Sequence, residues 1–217
     1  MPHYMPIMMN LREQRCVVVG GGAVAERKTQ ALLEAGAKAV VISPSATAWL
    51  QERSEDNKIE WVKRRFRKGD LAGAFLAFAA TDQEQVNADI VREAKNTGIP
   101  VNDTSEGERG SFITPSVFRR GGLIVAVSTS GAGPSASRRL SREIEERFGD
   151  DYERYIDFLS AARALIKSRV AESSQRKHLL RLLAEMDILT LIREGSFQPW
   201  SEEALIAWID QYRGNCE

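Results

Sequence analysis

The sequence predicts an α/β protein: a parallel β-sheet domain, then a small α+β region and a helical C-terminal part. Three observations predict this fold. Up to about Val101, short apolar runs alternate with segments of helical periodicity, which is typical of a parallel sheet covered on both faces. A two-strand pattern with a glycine turn then breaks the alternation. From Asp150 onward only helical patterns remain.

The first half alternates predicted strands with predicted helices. The first strand runs into three adjacent glycines, and Gly36 ends the first helix as a C-cap. Ligands of parallel sheets bind where the strands end, so we expect the segments 20–25, 43–45, 80–82 and 102–105 to form one site. The predicted strands are residues 12–19, 38–42, 59–62, 75–80 and 99–102, and the predicted helices are residues 23–35 and 86–95.

The second half begins with a predicted β-hairpin, residues 116–120 and 123–129, around Gly121-Gly122. A lone hairpin is marginal in water, so it either extends the main sheet or pairs with another chain. Dimerisation through this segment is our hypothesis. A second glycine-rich stretch, residues 130–134, leads into the helical part. The predicted helices are residues 135–148, 151–170, 174–187 and 201–213.

The composition argues against several classes of protein. The chain has 217 residues, and its 30 basic and 30 acidic residues balance, which offers no electrostatic drive towards nucleic acid or membranes. No apolar run is long enough to span a bilayer, and the N-terminus lacks a signal-peptide pattern. The two cysteines, Cys16 and Cys216, form neither a disulfide framework nor a zinc motif, so we expect a reducing cytoplasm. His3 and His178 have no partner at metal-ligand spacing, and we predict no metal site.

The glycine run after the first strand is typical of a dinucleotide-binding turn. Gly20 permits a tight turn, Gly22 leaves room for a pyrophosphate, and Ala25 fills the small third position against the sheet. The amides at the start of the next helix would then face the phosphates. The alternative is a glycine turn in an α/β fold that binds no ligand.

Three further segments are candidates for the same site, each with a structural alternative. No acidic residue follows the second strand to hold ribose hydroxyls, and no arginine sits there to favour a 2′-phosphate. Ser43 or Ser45 could form a hydrogen bond to the ribose. The alternative is that both are ordinary turn residues. Thr81-Asp82 lies where the nicotinamide end would reach, or caps the next helix. Asp103 is a candidate acid/base, or a turn residue bonded to nearby amides.

A group of arginines surrounds the second glycine stretch. Guanidinium groups there are suited to binding a polycarboxylate by paired hydrogen bonds, and the alternative is a solvated helix face. The group comprises Arg119, Arg120, Arg138, Arg139 and Arg142.

Taken together, these motifs resemble one family, the precorrin-2 dehydrogenases that form the NAD-binding module of siroheme synthase. The likeness covers residues 4–150 well. Its most specific part is the segment 111–116 (Ser-Phe-Ile-Thr-Pro-Ser) followed by the segment 125–131 (Val-Ala-Val-Ser-Thr-Ser-Gly). The other matching segments are residues 4–7, 19–28, 33–37, 79–82 and 86–87.

The resemblance implies a Rossmann domain over residues 1–113, a central dimerisation region over 114–149 and a helical domain over 150–217. It also implies a homodimer that oxidises precorrin-2 to sirohydrochlorin with NAD⁺, and some members of the family insert Fe²⁺ as well. Arg138 matches an arginine of the family, and we expect Thr129, Arg138, Arg119 and Arg120 to contact the tetrapyrrole. The implied contacts to the dinucleotide are Gly22, Ala23, Val24, Ser43, Pro44 and Thr81, and we expect Gly20 of the glycine turn to join them.

Two departures from the family pattern bear on the site. The family reads Asn-Val-x-Asp after its fifth strand, with that Asp as the acid/base, but three residues after Asn102 this chain has Ser105. We therefore predict Asp103 as the catalytic carboxylate, with Ser105 in the family's position. Thr129 stands where siroheme synthase has a serine. The chain shows no methyltransferase domain, so we expect a stand-alone form.

Two other functions are compatible with the glycine turn. One is a regulatory module that binds NAD without catalysis, and the other is an S-adenosylmethionine methyltransferase. Both usually keep an acidic residue after the second strand, and this chain has none there.

Overall fold

The computed structural model describes residues 4–130 and 133–213. The chain divides into two compact units, Met1–Thr114 and Pro115–Glu217, each with its own apolar core. His3, Cys216 and the Gly131-Ala132 part of the second glycine stretch lie outside the described residues. None of the described helices is long and apolar enough to cross a membrane.

The first unit is a parallel sheet with helices on both faces. Its strands are β1 (Arg15–Val19), β2 (Lys38–Ile42), β3 (Glu60–Val62), β4 (Leu76–Ala79) and β5 (Val101–Asp103). Its helices are α1 (Ala23–Glu34), α2 (Ala48–Glu55) and α3 (Glu84–Thr97), with a 3₁₀ turn at Gly107–Arg109. The strand order is β3-β2-β1-β4-β5, so the direction of winding changes between β1 and β4. A sheet of this kind binds ligands in the crevice outside the carboxyl ends of those two strands.

Both faces of the sheet are buried, which explains the unbroken apolar run of β1. Cys16 and Val18 pack into the cluster formed with α1 and α2, whereas Val17 and Val19 pack into the cluster formed with α3. Successive side chains of a strand point to opposite faces, so a strand covered on both sides needs an apolar residue at every position.

In the part that the structure describes, the second unit combines one antiparallel hairpin with five helices. Strands β6 (Ser116–Arg120) and β7 (Leu123–Val127) pair with Phe118 opposite Val125. A separate apolar core lies among the later helices, around Phe158, Leu179 and Ile209. The helices are α4 (Pro134–Glu145), α5 (Asp150–Arg169), α6 (Ser173–Glu185), α7 (Ile188–Arg193) and α8 (Glu202–Tyr212).

The parallel sheet and the helical C-terminal region predicted from the sequence are confirmed, with shifted boundaries. β1 begins at Arg15 rather than at Arg12, because the residues before it form a turn in which Glu13 has a φ of 63°. Among the described strands β6 and β7 pair only with each other, so the hairpin does not extend the main sheet. Prediction missed α2, which buries only Leu50, and α7, which is six residues long. α2 has too few apolar residues, and α7 is too short, for a helical period to be recognised in the sequence.

Candidate functional site

The glycine turn after β1 is crowded by backbone from the neighbouring strands. Gly20 has a φ of 130°, and a Cβ there would lie 2.1 Å from the carbonyl oxygen of Ala80. A Cβ on Gly21 would lie 1.9 Å from the carbonyl oxygen of Ser45. Only glycine lets the chain pass between the ends of β2 and β4 at these two positions.

The next glycine faces open space instead. A Cβ on Gly22 would meet no atom within 4 Å. Gly22 is also the N-cap residue of α1. No side chain of the described residues caps this helix, so the amides of Ala23, Val24 and Ala25 lie in the first turn without a capping side chain. Ala23 and Val24 are exposed and Ala25 is buried against the sheet. We call the open space at Gly22, with the amides of the first turn of α1, the cradle. Uncapped amides at a helix N-terminus fit a dinucleotide diphosphate.

The end of β2 forms the wall of this cradle. Ser43 is buried, its amide donates to the carbonyl of Val62 at 3.2 Å, and its carbonyl accepts from the Trp61 indole Nε1 at 3.0 Å. A Cβ on Gly21 would lie 2.8 Å from the Ser43 hydroxyl oxygen, so this hydroxyl faces the glycine turn. Pro44 follows on the exposed rim.

Thr81, which follows β4, is held by a buried asparagine of α3. Its amide and its hydroxyl both donate to Asn87 Oδ1, at 3.1 and 2.7 Å, and Asn87 Nδ2 donates back to the Thr81 carbonyl at 3.0 Å. The helix N-cap is Gln83, whose amide donates to the Thr81 hydroxyl at 3.2 Å. Thr81 therefore closes a local turn rather than capping α3 as the alternative interpretation supposed.

Asp103 is the last residue of β5, and its carboxylate is fully hydrogen-bonded. Oδ1 accepts from the Ser105 hydroxyl at 2.6 Å and from the amides of Ser105 and Glu106 at 3.0 and 3.2 Å. Oδ2 accepts from Arg109 Nε at 3.0 Å. Burial alone would raise the pKa of Asp103, but the Ser105 hydroxyl, the two amides and the Arg109 guanidinium together hold that pKa below its ordinary value. The carboxylate is therefore ionised at neutral pH.

Ser105 joins this carboxylate to the asparagine on α3. Its hydroxyl donates to Asp103 and accepts from Asn87 Nδ2 at 3.2 Å. Arg109 ties the same loop to α3 by donating to Glu84 Oε1 at 3.0 Å. The result is one polar network that connects the ends of β4 and β5.

The network surrounds a cavity of about 430 Å³. Asp103 is 1% exposed and lies behind the cavity wall, whereas Ser105 is part of that wall. The wall also contains Thr81, Asp82, Glu84, Asn87, Glu106 and Arg109. A molecule in the cavity can therefore meet Ser105, Glu106 and Arg109, and of these residues Ser105 bonds Asp103 through a hydroxyl group.

Lys28, on α1, packs against an aromatic ring, and its ammonium group forms no ion pair with the carboxylates that the structure describes. Its ammonium group lies 5.4 Å from the centre of the Phe78 ring and donates to the Thr114 hydroxyl. Burial, together with repulsion from Arg27, lowers the pKa of Lys28 to about 8.

The residues predicted to contact the tetrapyrrole all belong to the second unit. Arg119 and Arg138 are exposed. Arg120 is already engaged, because its guanidinium donates to the Phe148 carbonyl at 3.0 Å and pairs with Glu145 at 3.1 Å. The Thr129 hydroxyl lies 2.8 Å from the Ser137 hydroxyl.

Several residues that shape the first unit's site were missed by sequence reasoning. Asn87 and Arg109 sit on different elements from the residues they hold, so only the folded chain reveals their roles. The Val86-Asn87 pair in the family resemblance was the one available signal for Asn87. In residues 4–130 and 133–213, no group of three or more metal-ligating side chains comes together.

Comparison with known proteins identifies the family. Residues 7–116 match a family model described as "Putative NAD(P)-binding". The chain belongs to this NAD(P)-binding family. The cofactor of the family's domain is a nicotinamide dinucleotide, and the open cradle at Gly22 fits its diphosphate. The expected resemblance to siroheme synthase and precorrin-2 dehydrogenase is also confirmed.

Two curated relatives illustrate the likeness. Siroheme synthase 1 of Aeromonas salmonicida is 35% identical over 186 residues, which are 86% of this chain and 40% of that protein. Siroheme synthase of Methylobacillus flagellatus is 38% identical over 173 residues, which are 80% of this chain and 37% of that protein. The chain thus spans about two fifths of the length of these relatives.

The match to one solved structure covers that protein's whole chain, unlike the matches to the two siroheme synthases. The chain of SirC, precorrin-2 dehydrogenase, superimposes with a TM-score of 0.77 at 26% sequence identity. The match covers 96% of this NAD(P)-binding family member and 100% of the SirC chain.

Proposed function

We propose that this chain is an NAD⁺-dependent dehydrogenase that oxidises precorrin-2 to sirohydrochlorin in siroheme biosynthesis. The observation that carries the proposal is the match to SirC, precorrin-2 dehydrogenase, over nearly all of both chains. The open space at Gly22 and the uncapped start of α1 support this proposal, because such a reaction requires a bound dinucleotide.

We propose the following cofactor contacts. The amides of Gly22, Ala23 and Val24 hold the diphosphate, while Gly20 shapes the turn that brings them there. Ser43 and Pro44 border the adenosine ribose, and Thr81 borders the nicotinamide end. The open Cβ side of Gly22, the inward-facing Ser43 hydroxyl and the fixed Thr81 turn support these assignments.

Oxidation removes a hydride and a proton from the substrate. When bound, the nicotinamide accepts the hydride. We assign the proton to Ser105 and Asp103: the Ser105 hydroxyl takes it from the substrate while passing its own proton to Asp103 Oδ1 at 2.6 Å. The carboxylate that begins ionised ends protonated, so atoms and charge balance.

The same relay explains how this chain manages without the acidic residue that the family carries three positions after Asn102. Ser105 occupies that position and lines the cavity, and Asp103 supplies the negative charge from behind it. Asn87 and Arg109 act as positioning residues, because they hold Ser105 and Asp103 without carrying the proton.

For the substrate carboxylates we propose Arg119 and Arg138, whose side chains are exposed. Arg120 and Thr129, also expected at the substrate, already bond within the second unit, and we propose that they act mainly by shaping the hairpin and the start of α4. We retain the division of this unit into a dimerisation region (114–149) and a helical domain (150–217) as part of the proposal.

We further propose a homodimer formed through the hairpin. Val117 and Ile124 are large apolar residues exposed on β6 and β7, 46% and 39% respectively. Val117→Glu should shift the mass measured by light scattering from dimer to monomer, whereas Lys177→Glu, an exposed control in the helical domain, should not. A monomeric wild-type chain at micromolar concentration would refute this part.

Two further parts of the proposal concern metal insertion and location. Fe²⁺ is a proposed second substrate, to be tested by comparing iron insertion into sirohydrochlorin with and without the protein. Equal rates with and without the protein would refute this activity.

We also propose a cytoplasmic location, which the sparse use of cysteine supports.

The main proposal is tested by an anaerobic assay with precorrin-2 and NAD⁺. We expect reduced nicotinamide and sirohydrochlorin to appear together, at a rate proportional to the protein added. Binding of NAD⁺ without any turnover of precorrin-2 would instead favour a regulatory module.

A further inference from the structure

The adenosine end of the cradle has an unusual distribution of charge. β2 ends at Ser43 with no carboxylate, although an acidic side chain at this place commonly binds the ribose 2′-hydroxyl and repels a 2′-phosphate. β3 lies beside β2 in parallel, with Val62 opposite Ile42. The residue that follows β3, Lys63, therefore lies at the same edge of the sheet as Ser43.

Direct contacts connect Lys63 to the cradle. The Lys63 ammonium lies 5.1 Å from the centre of the Trp61 ring, and the indole Nε1 of Trp61 donates to the Ser43 carbonyl at 3.0 Å. The Ser43 hydroxyl in turn faces Gly21. Trp61 thus holds a cation beside the wall that would receive the adenosine ribose.

This cation belongs to a basic segment, Lys63–Lys68, in which five of six residues are lysine or arginine. Arg64 is neutralised by a two-point ion pair with Asp70, with N–O distances of 2.7 and 2.8 Å. None of the ion pairs within the described part of the chain includes Lys63 or Arg65. The end of β3 therefore presents uncompensated positive charge.

We propose that this site accepts a dinucleotide bearing a 2′-phosphate, with Lys63 as the cation that receives it and Ser43 or Ser45 as hydroxyl donors. The chemistry is that of a phosphate monoester met by an ammonium and by serine hydroxyls. The same cradle should therefore bind either NADP⁺ or NAD⁺. This inference rests on the cofactor site of the proposed function.

The test is calorimetric titration of the full chain with NAD⁺ and with NADP⁺. We expect both to bind, with dissociation constants within about tenfold of each other. The affinity for NADP⁺ should fall more steeply with salt, because its extra phosphate meets an exposed cation. Lys63→Gln should weaken NADP⁺ by about tenfold, since a hydrogen bond to a charged group is lost, and should leave NAD⁺ unchanged.

The control is Lys58→Gln, an exposed lysine before the amino end of β3, which should alter neither affinity. Binding of NAD⁺ alone would overturn the inference and leave the proposed function standing. Equal weakening of both dinucleotides by Lys63→Gln, or of neither, would also overturn it. Failure of both dinucleotides to bind would instead remove the cofactor site on which the proposed function depends.

Discussion

The Ser105 hydroxyl donates a 2.6 Å hydrogen bond to Oδ1 of Asp103, and this pair links the wall of a cavity to a buried carboxylate. The resemblance to the precorrin-2 dehydrogenases puts Ser105 where that family has an acidic residue, and Asp103 carries a negative charge two residues earlier. Under the proposed function, this pair would keep acid/base capacity in the site despite the change of residue.

The relay predicts matched losses of turnover. Ser105→Ala and Asp103→Asn should each lower kcat by about 10²-fold or more, because each interrupts proton transfer. The dissociation constant for NAD⁺ should stay within about twofold in both variants, since neither residue belongs to the diphosphate cradle. Glu106→Gln also loses a contact with Arg109 but is not in the relay, and it should retain wild-type kcat. If Glu106→Gln lost as much activity as the other two, loop order rather than proton transfer would be responsible.

The lowered pKa of Asp103 predicts a loss of stability in acid. A carboxylate whose pKa is lower in the folded chain than in the unfolded chain stabilises the fold above the unfolded value, ordinarily 3.8. That contribution disappears as the pH falls through the folded value. Urea unfolding at several pH values below about 5 should show a steeper decline for the wild type than for Asp103→Asn. If the free energy of unfolding fell equally with pH in both proteins, the hydrogen bonds and the ion pair of the Asp103 carboxylate would not stabilise the fold.

The lowered pKa of Lys28 predicts a change in the free energy of unfolding at alkaline pH. Its pKa is about 8 in the folded chain and ordinarily 10.5, so the unfolded chain binds more protons between these values. Lys28 should therefore add to the free energy of unfolding a contribution that rises with pH from about 8, by at most roughly 3 kcal/mol, and is level below it. The Cys16 thiol, whose pKa burial raises from 9.0 to about 11, adds a contribution of opposite sign above about pH 9 in the wild type and in both variants below. Lys28→Met should abolish the rise, whereas Lys95→Met, at an exposed position on α3, should keep it. Identical pH profiles for the two variants would contradict this environment for Lys28.

Two of the three glycines predict distinct phenotypes. Gly21→Ala should lower the free energy of unfolding by about 2 kcal/mol or more, because its Cβ would overlap the Ser45 carbonyl. Gly22→Ala meets no atom and has an ordinary backbone φ of −87°, so its stability should be unchanged. The new methyl group would enter the space assigned to the diphosphate and should weaken NAD⁺ by about tenfold or more. Normal NAD⁺ affinity in Gly22→Ala would place the dinucleotide elsewhere.

The sequence was sufficient to predict the sheet and the glycine turn after β1, because the signals for both are local. Four apolar residues, three glycines and a helical pattern follow one another between Cys16 and Ala35, and the structure has a strand, a turn and a helix there. The β2 strand was predicted with its observed bounds, Lys38–Ile42, because Ser43-Pro44 marks its end.

The rest could not be read from local patterns, because it depends on which elements become neighbours. Lys63 lies beside Ser43 only because β3 pairs with β2, and the sequence does not state that pairing. Arg109 reaches Asp103 across a loop whose path is set by the 3₁₀ turn. The hydrogen bonds of Arg120 likewise depend on Phe148 and Glu145, which lie more than twenty residues away.

The most direct measurement is the stoichiometry of precorrin-2 oxidation under anaerobic conditions, with the wild type and Gly22→Ala compared at one NAD⁺ concentration below saturation. We predict one reduced nicotinamide for each sirohydrochlorin formed by the wild type, and a much slower formation of both by the variant. Absence of reduced nicotinamide, or equal rates for the two proteins, would contradict the assignment of a hydride-transferring dinucleotide to this glycine turn.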